Sequence, residues 1–236
     1  MTMQKRIIIL IKIALLLWFA LLSFKAFSQR IIHVRHLTYD ILYNQDLLTP
    51  ECVYYTLQAS DFTGSITKKP KHFKMDYLLP PPHRKNKDFT FSGYQRGHLC
   101  PSGDRDSRKD WFKDTFFTSN IVPMTAEVNG GAWRDIENEC RRLALEGHTL
   151  RVVAAAFCDT TQARNTSSSK YYIPTDFAKI VKCTTCDTIS RAWIVPNVRY
   201  HVSRPECNTS ADLLFEKMTP VVAAFLRQWF SQKFIP

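Results

Sequence analysis

Arg96 and His98 stand either side of a single glycine in the run YQRGHLCPSGD, residues 94–104. Histidine has a reference pKa of about 6.5, so near neutral pH its free ring nitrogen can take a proton from water and make that water a nucleophile. Arginine offers a planar fork of N–H donors that matches two oxygens of a phosphate. If residues 96–98 are extended, both side chains leave the same face of the strand. Gly97 between them removes bulk, which lets the backbone approach a large ligand. The chemistry this serves is attack of water on a phosphodiester. The same tripeptide also reads as a surface turn that happens to contain a histidine, and residues further along decide between the two.

Downstream, Asn120 closes the run FFTSN, Asn129 precedes two glycines, and Glu137 follows on a helical pattern. An asparagine oxygen is a neutral hard ligand of the kind that suits Mg2+, an ion that keeps several of its waters. From 129 to 137 is about 80° around an α-helix. If Asn129 opens the helix, Glu137 therefore reaches a water on the same ion. Taken singly, Asn129-Gly130-Gly131 is equally a turn with a helix cap, and Glu137 a solvated face residue.

In combination the pieces resemble the DNA/RNA non-specific endonucleases of the ββα-metal (His-Me finger) superfamily. The family pattern runs Asp-Arg-Gly-His, then Thr-Asn-x-x-Pro, then Asn-x-Gly-x-Trp-x-x-x-Glu. Here it is matched by Gln95-Arg-Gly-His98, Ser119-Asn120-Ile-Val-Pro123 and Asn129-Gly-Gly131-Ala-Trp133-Arg-Asp-Ile-Glu137. The resemblance implies that His98 is the general base, Arg96 a cation beside the phosphate, and Asn129 the direct protein ligand of a Mg2+ ion, with Mn2+ as a substitute. It further implies that Glu137 orients metal-bound water, that Asn120 helps hold the site together, and that Arg141 is a further basic group near the scissile phosphate. DNA and RNA are the implied substrates, cut with little sequence preference because such sites contact phosphate and sugar, and the implied products carry 5′-phosphates.

Two positions depart from the pattern. Gln95 replaces the usual Asp, which removes a charge that would favour the protonated form of His98. Lys71, in Lys71-His-Phe-Lys-Met-Asp76, aligns with an upstream family arginine and supplies charge to substrate without the bidentate fork. The alternative to an enzyme is a secreted nucleic-acid-binding protein with lost or reduced catalysis. A zinc-dependent nuclease with Cys or His ligands is a third reading, but the short stretch after His98 offers it only Cys100.

These side chains need a scaffold, and the pattern of the chain suggests α+β. The expectation is a central, mainly antiparallel sheet with packed helices and a ββα-metal core. Val53–Leu57 and Arg151–Phe157 read as strands, Thr115–Ser119 as a short strand stopped by Pro123, and residues 177–182 and 190–195 as a hairpin around CTTCD. Ala132, Ile136, Cys140 and Leu143 recur at helical spacing up to Glu146, with Gly147 as a stop. Leu213–Phe230 suggests a terminal helix with Pro220 near its start or at a kink, and residues 68–87 a basic, proline-broken loop.

Residues 1–28 carry four basic groups, an apolar run Ile13–Leu22 and the small-residue end Ala26-Phe-Ser28. That order is expected of a secretory signal, placing a nuclease domain at 29–236 outside the cell or in the periplasm; an uncleaved anchor is the alternative. Without residues 1–28 the chain keeps 28 of its 32 basic residues against 21 acidic ones, a net +7. That balance fits a polyanionic partner, and equally many secreted proteins that have none. All seven cysteines follow residue 28, where disulfides persist, and the odd number leaves at least one thiol or an intermolecular bridge. Cys183-Thr-Thr-Cys186 is half of a zinc motif without its second half, so a hairpin-tip disulfide or two buried thiols are expected there.

Overall fold

A computed structural model of the chain describes Lys12 and residues 29–62, 64–66, 69–90, 92–160 and 172–232. Apart from Lys12, the expected signal segment 1–28 lies outside the described residues. Among the described residues no helix is long and apolar enough to cross a membrane.

Among the described residues nine strands occur in chain order: β1 (Ile31–Arg35), β2 (Asp40–Asn44), β3 (Thr49–Leu57), β4 (Gln95–His98), β5 (Ile121–Met124), β6 (Leu150–Phe157), β7 (Asp176–Cys183), β8 (Ser190–Pro196) and β9 (Asn208–Thr209). Seven form one sheet in the order β1-β2-β3-β6-β7-β8-β9, while β4 and β5 form a separate two-stranded sheet. Every strand pair is antiparallel. The helices are α1 (Lys109–Asp114), α2 (Ala126–Asn129), α3 (Ala132–Leu145), α4 (Ala211–Lys217) and α5 (Pro220–Ser231).

Alternation along the strands feeds two cores. Val53, Tyr55 and Leu57 of β3, with Val152, Ala154 and Ala156 of β6, pack against Val122 and Met124 of β5 and Trp133, Ile136 and Leu143 of α3. Cys52, Tyr54, Val153 and Ala155 face the other way, onto Leu214, Phe215, Val222, Leu226 and Phe230 of α4 and α5. With both faces covered, β3 and β6 are buried along almost their whole length, which is why they read as continuous apolar runs. This is the α+β architecture the sequence suggests, with the β4–β5 hairpin and α3 as its ββα unit.

Three local expectations change. Residues 115–119 are not a strand: Thr118–Asn120 is a 3-10 turn, and the strand begins at Ile121 and includes Pro123. A proline is tolerated there because β5 has β4 as its one partner, opposite Arg96. The terminal helix is two helices broken at Met218 and Thr219, with Pro220 as the first residue of α5, the position where its missing N–H costs least. Strands β1 and β2 carry weaker signals than β3 and were not anticipated. The hairpin β7–β8 and the end of α3 are as expected. Gly147 stops α3 in the left-handed region (φ 92°), donating to the Ala144 carbonyl while the His148 N–H reaches back to Leu143, a Schellman closure.

Candidate active site

Strand β4 divides its side chains between two faces, and each face takes one half of the chemistry. Arg96 lies over the Phe73 ring, 5.7 Å from its centroid, and the His98 ring is 5.6 Å from the same phenyl group. Phe116 closes edge-on to His98 at 5.1 Å. The two residues therefore share one face, as an extended 96–98 requires. On the opposite face the Gln95 side-chain oxygen accepts a 2.7 Å hydrogen bond from Asn129 Nδ2.

Gly97 is needed for a reason other than ligand approach. A Cβ there would sit 2.8 Å from Cβ of Met124, so the glycine lets β4 close onto the core side of β5. Gly131 has a similar role at the α2–α3 corner, where a Cβ would lie 2.4 Å from the Glu127 carbonyl oxygen. That corner also alters the helical arithmetic. Asn129 ends α2 and does not open α3, so the two helices are offset and the 80° relation does not apply.

His98 sits in an apolar pocket. Its Nε2 is closed off from solvent and has no hydrogen-bond partner among the described residues. Burial, reinforced by the charge of Lys69, pushes its pKa down to about 3. The ring is thus neutral across the physiological range. The end of β4 is pinned from the helix side, where Trp133 Nε1 donates to the His98 carbonyl at 3.2 Å. Asn120 is fully buried and pins it from below. Its Oδ1 accepts from the Cys100 N–H (2.8 Å), and its Nδ2 donates to the carbonyls of Cys100 and Thr115, both at 2.9 Å. Asn120 is a brace for the hairpin.

Glu137 projects from α3 into a partly closed, charged environment. Lys179 Nζ and an Arg141 nitrogen each stand 4.0 Å from its carboxylate oxygens. Burial pushes its pKa up to about 7, with Asp104 adding to the rise and Lys179 and Arg141 opposing it. Lys179 is fully buried on β7 and its Nζ lies 4.3 Å from the centroid of the Trp133 ring. It was not anticipated from the sequence, although a lysine at an inward position of the strand DFAKIVKC is a readable signal. Asp104 was missed as well. It is fully buried and accepts from Arg141 Nη1 at 2.6 Å and from the Tyr55 hydroxyl at 2.9 Å.

The expected substrate cations separate into different settings. Lys71 lines a cleft of about 600 Å3 with Lys69, Lys74, Lys109 and Lys113, floored by Phe112 and Phe116. Through Phe116 this cleft adjoins His98. Arg96 is docked by hydrogen bonds to Asn86 and Thr90 (3.0–3.2 Å). Arg141 is committed to Asp104 and to Asn138 (2.8 Å) beside Glu137 and is not part of the lysine cleft. The loop that carries Lys71 is fastened by Asp76, which accepts from Ser119 Oγ (2.5 Å) and lies 3.0 Å from His36 Nε2.

The donors fit a hard cation. Asn129 Oδ1 has no competing partner among the described residues, because Gln95 engages only the amide nitrogen. The Glu137 carboxylate is held just beyond hydrogen-bond reach of its cations, and both side chains offer oxygen donors of the type Mg2+ prefers.

Known proteins similar to this chain are nucleases. Among relatives, zebrafish (Danio rerio) mitochondrial nuclease EXOG is 30% identical over 169 residues, covering 66% of this chain and 49% of that protein. Human mitochondrial endonuclease G is 27% identical over 153 residues, covering 60% of this chain and 52% of that protein. The chain thus spans about half the length of these relatives. A solved structure described as an EndoG/EndoGI complex superposes with a TM-score of 0.70 at 20% identity, over 78% of this chain and 82% of the other; it shares the fold. The model of the DNA/RNA non-specific endonuclease family matches residues 22–220, and the chain belongs to that family.

Proposed function

We propose that this protein is a metal-dependent endonuclease that hydrolyses phosphodiester bonds of DNA and RNA with His98 as general base, leaving 5′-phosphates. The observation that carries this reading is the His98 ring, neutral in its pocket and adjoining a cleft lined by lysines through Phe116. With Nε2 enclosed, Nδ1 is the ring nitrogen left to take the proton from the attacking water. Lys71 and its neighbours hold the phosphate backbone by charge. Asn129 would hold a divalent ion, Mg2+ or Mn2+, with Glu137 orienting a water on it, and the bound ion would supply Lewis-acid stabilisation of the developing negative charge. Gln95 takes the Asn129 amide nitrogen, which would leave the Asn129 oxygen free for the ion. Trp133 and Asn120 set the position of the His98 backbone.

Export through residues 1–28 belongs to the same reading, supported by their charged, apolar and small-residue order. The named relatives are mitochondrial, so location is tested separately, by sequencing the N-terminus of the protein recovered from medium, periplasm and cells. The central experiment is cleavage of supercoiled plasmid and of RNA by residues 29–236, with and without Mg2+. Metal-dependent nicking that falls by about 10²–10⁴-fold in His98→Ala, with DNA binding retained, supports the reading. Binding without cleavage at any metal concentration would establish the non-catalytic alternative.

A further inference from the structure

At the far end of α3 from Asn129, the fold assembles three soft metal ligands from segments distant in sequence. Cys183 ends β7 and Cys186 lies in the turn to β8, while His148 follows the Gly147 stop of α3. The Sγ atoms of Cys183 and Cys186 and a His148 ring nitrogen all lie within 4.8 Å of one another. Cys183 Sγ is 3.8 Å from His148 Nδ1. In a tetrahedral zinc site, bond lengths of about 2.3 Å to sulfur and 2.0–2.1 Å to nitrogen put neighbouring S and N ligands about 3.6 Å apart and two sulfurs about 3.8 Å apart. The side chains are therefore spaced as an ion between them would hold them.

The backbone fixes this arrangement independently of any ion. The Schellman closure of α3 orients His148 through its N–H to the Leu143 carbonyl. The hairpin tip is tied to the same segment, since the Thr184 N–H and hydroxyl both donate to the Thr149 carbonyl (2.8 and 3.1 Å) and the Thr149 N–H donates to Thr185 Oγ1 (3.3 Å). Cys183 is buried, whereas Cys186 and His148 are partly open to solvent. An ion can therefore enter from the surface, and the fourth coordination position is left to water.

We infer that His148, Cys183 and Cys186 form a second metal site, specific for a zinc-class ion and separate from the oxygen-ligand site at Asn129. It supplies one of the two ligands that the CTTC motif lacks in the sequence, from the end of α3. Its effect is to clip the C-terminal end of the helix bearing Glu137 to the β7–β8 tip. Thiolate and imidazole donors exclude Mg2+ here, as the oxygen donors disfavour zinc-type selection at Asn129.

The test uses the full chain, purified under reducing conditions, stripped of metal and titrated with Co2+ in excess Mg2+ so that oxygen-ligand sites stay occupied. Expected is one equivalent of Co2+ with a thiolate-to-cobalt charge-transfer band and tetrahedral visible bands, both displaced by one equivalent of Zn2+. Cys186→Ser and His148→Ala, both at partly exposed positions, should weaken Co2+ binding by more than the 10–100-fold that loss of an outer partner costs. Both should keep the wild-type circular dichroism spectrum. Absence of the charge-transfer band in the reduced wild type would overturn the inference, as would a band unchanged in both variants. So would a Cys183–Cys186 disulfide in the isolated protein whose reduction restores no metal uptake.

Discussion

Acidifying the protein from pH 7 to pH 4 protonates ordinary histidines but leaves His98 neutral. The cause is burial between Phe73 and Phe116, with the charge of Lys69 second, and the resulting pKa is about 3. Against an unfolded value of about 6.5, this disfavours protonation in the native state by roughly 5 kcal/mol. Because the folded value lies below the unfolded one, the unfolded chain binds more protons between the two. Stability from this group is complete above pH 6.5 and is lost as pH falls towards 3. At pH 4 the loss is roughly 3 kcal/mol. Two measurements check it. NMR titration of the imidazole C–H resonances, assigned with His98→Gln, should show one histidine that does not move between pH 7 and 4. Urea unfolding of wild type and His98→Gln should then differ in acid sensitivity by about those 3 kcal/mol, the variant losing less. A His98 resonance titrating near 6.5, or equal acid sensitivity in the two proteins, would refute the account of a neutral base held by its pocket.

Other expectations follow from named contacts. Gln95→Ala releases the Asn129 amide and should raise the Mg2+ concentration needed for half-maximal cleavage without moving the His98 titration; the reverse pattern would place residue 95 on the His98 side. Arg141→Ala leaves the buried Asp104 carboxylate short of its cation and should cost about 3 kcal/mol in urea unfolding, the range for breaking a buried pair. Lys71→Ala should flatten the log–log salt dependence of duplex binding by about 0.9 if the lysine cleft carries the backbone. For His36, burial opposes protonation but Asp114 and Asp76 outweigh it and raise the pKa to about 9. Its stabilising share is complete below pH 6.5 and lost as pH rises through 9, so His36→Gln should abolish roughly 3 kcal/mol of that alkaline loss.

The sequence was most informative where chemistry and periodicity coincide. The inward stripe of α3, the β7–β8 hairpin and the strand pattern of β6 follow from apolar spacing, and Asn129, Glu137, Arg96 and His98 follow from a motif with fixed spacing. What stayed hidden depends on side chains meeting across the sheet. A charge at position 95 was expected to act on His98 and be lost with Gln95, but strand alternation turns the side chain towards Asn129. That the buried Asp104 is a partner of Arg141 is likewise not visible along the chain. Lys179 is hidden for the same reason, since only the packing of α3 over β7 brings it to Glu137. His148 lies too far from the CTTC motif in the chain to suggest membership.

The alternation along β4 also limits how the chain can vary in length. Arg96 and His98 look one way, and Gln95 and Gly97 the other. An inserted or deleted residue anywhere between Gln95 and His98 would exchange the two faces, sending the imidazole towards Asn129 and a side chain into Met124. Bracing by Asn120 and Trp133 removes the slack that could absorb such a change. The loop before the hairpin, residues 69–90, has no such parity and can lengthen or shorten at its exposed stretches. Within Gln95–His98 the register itself is therefore the constraint.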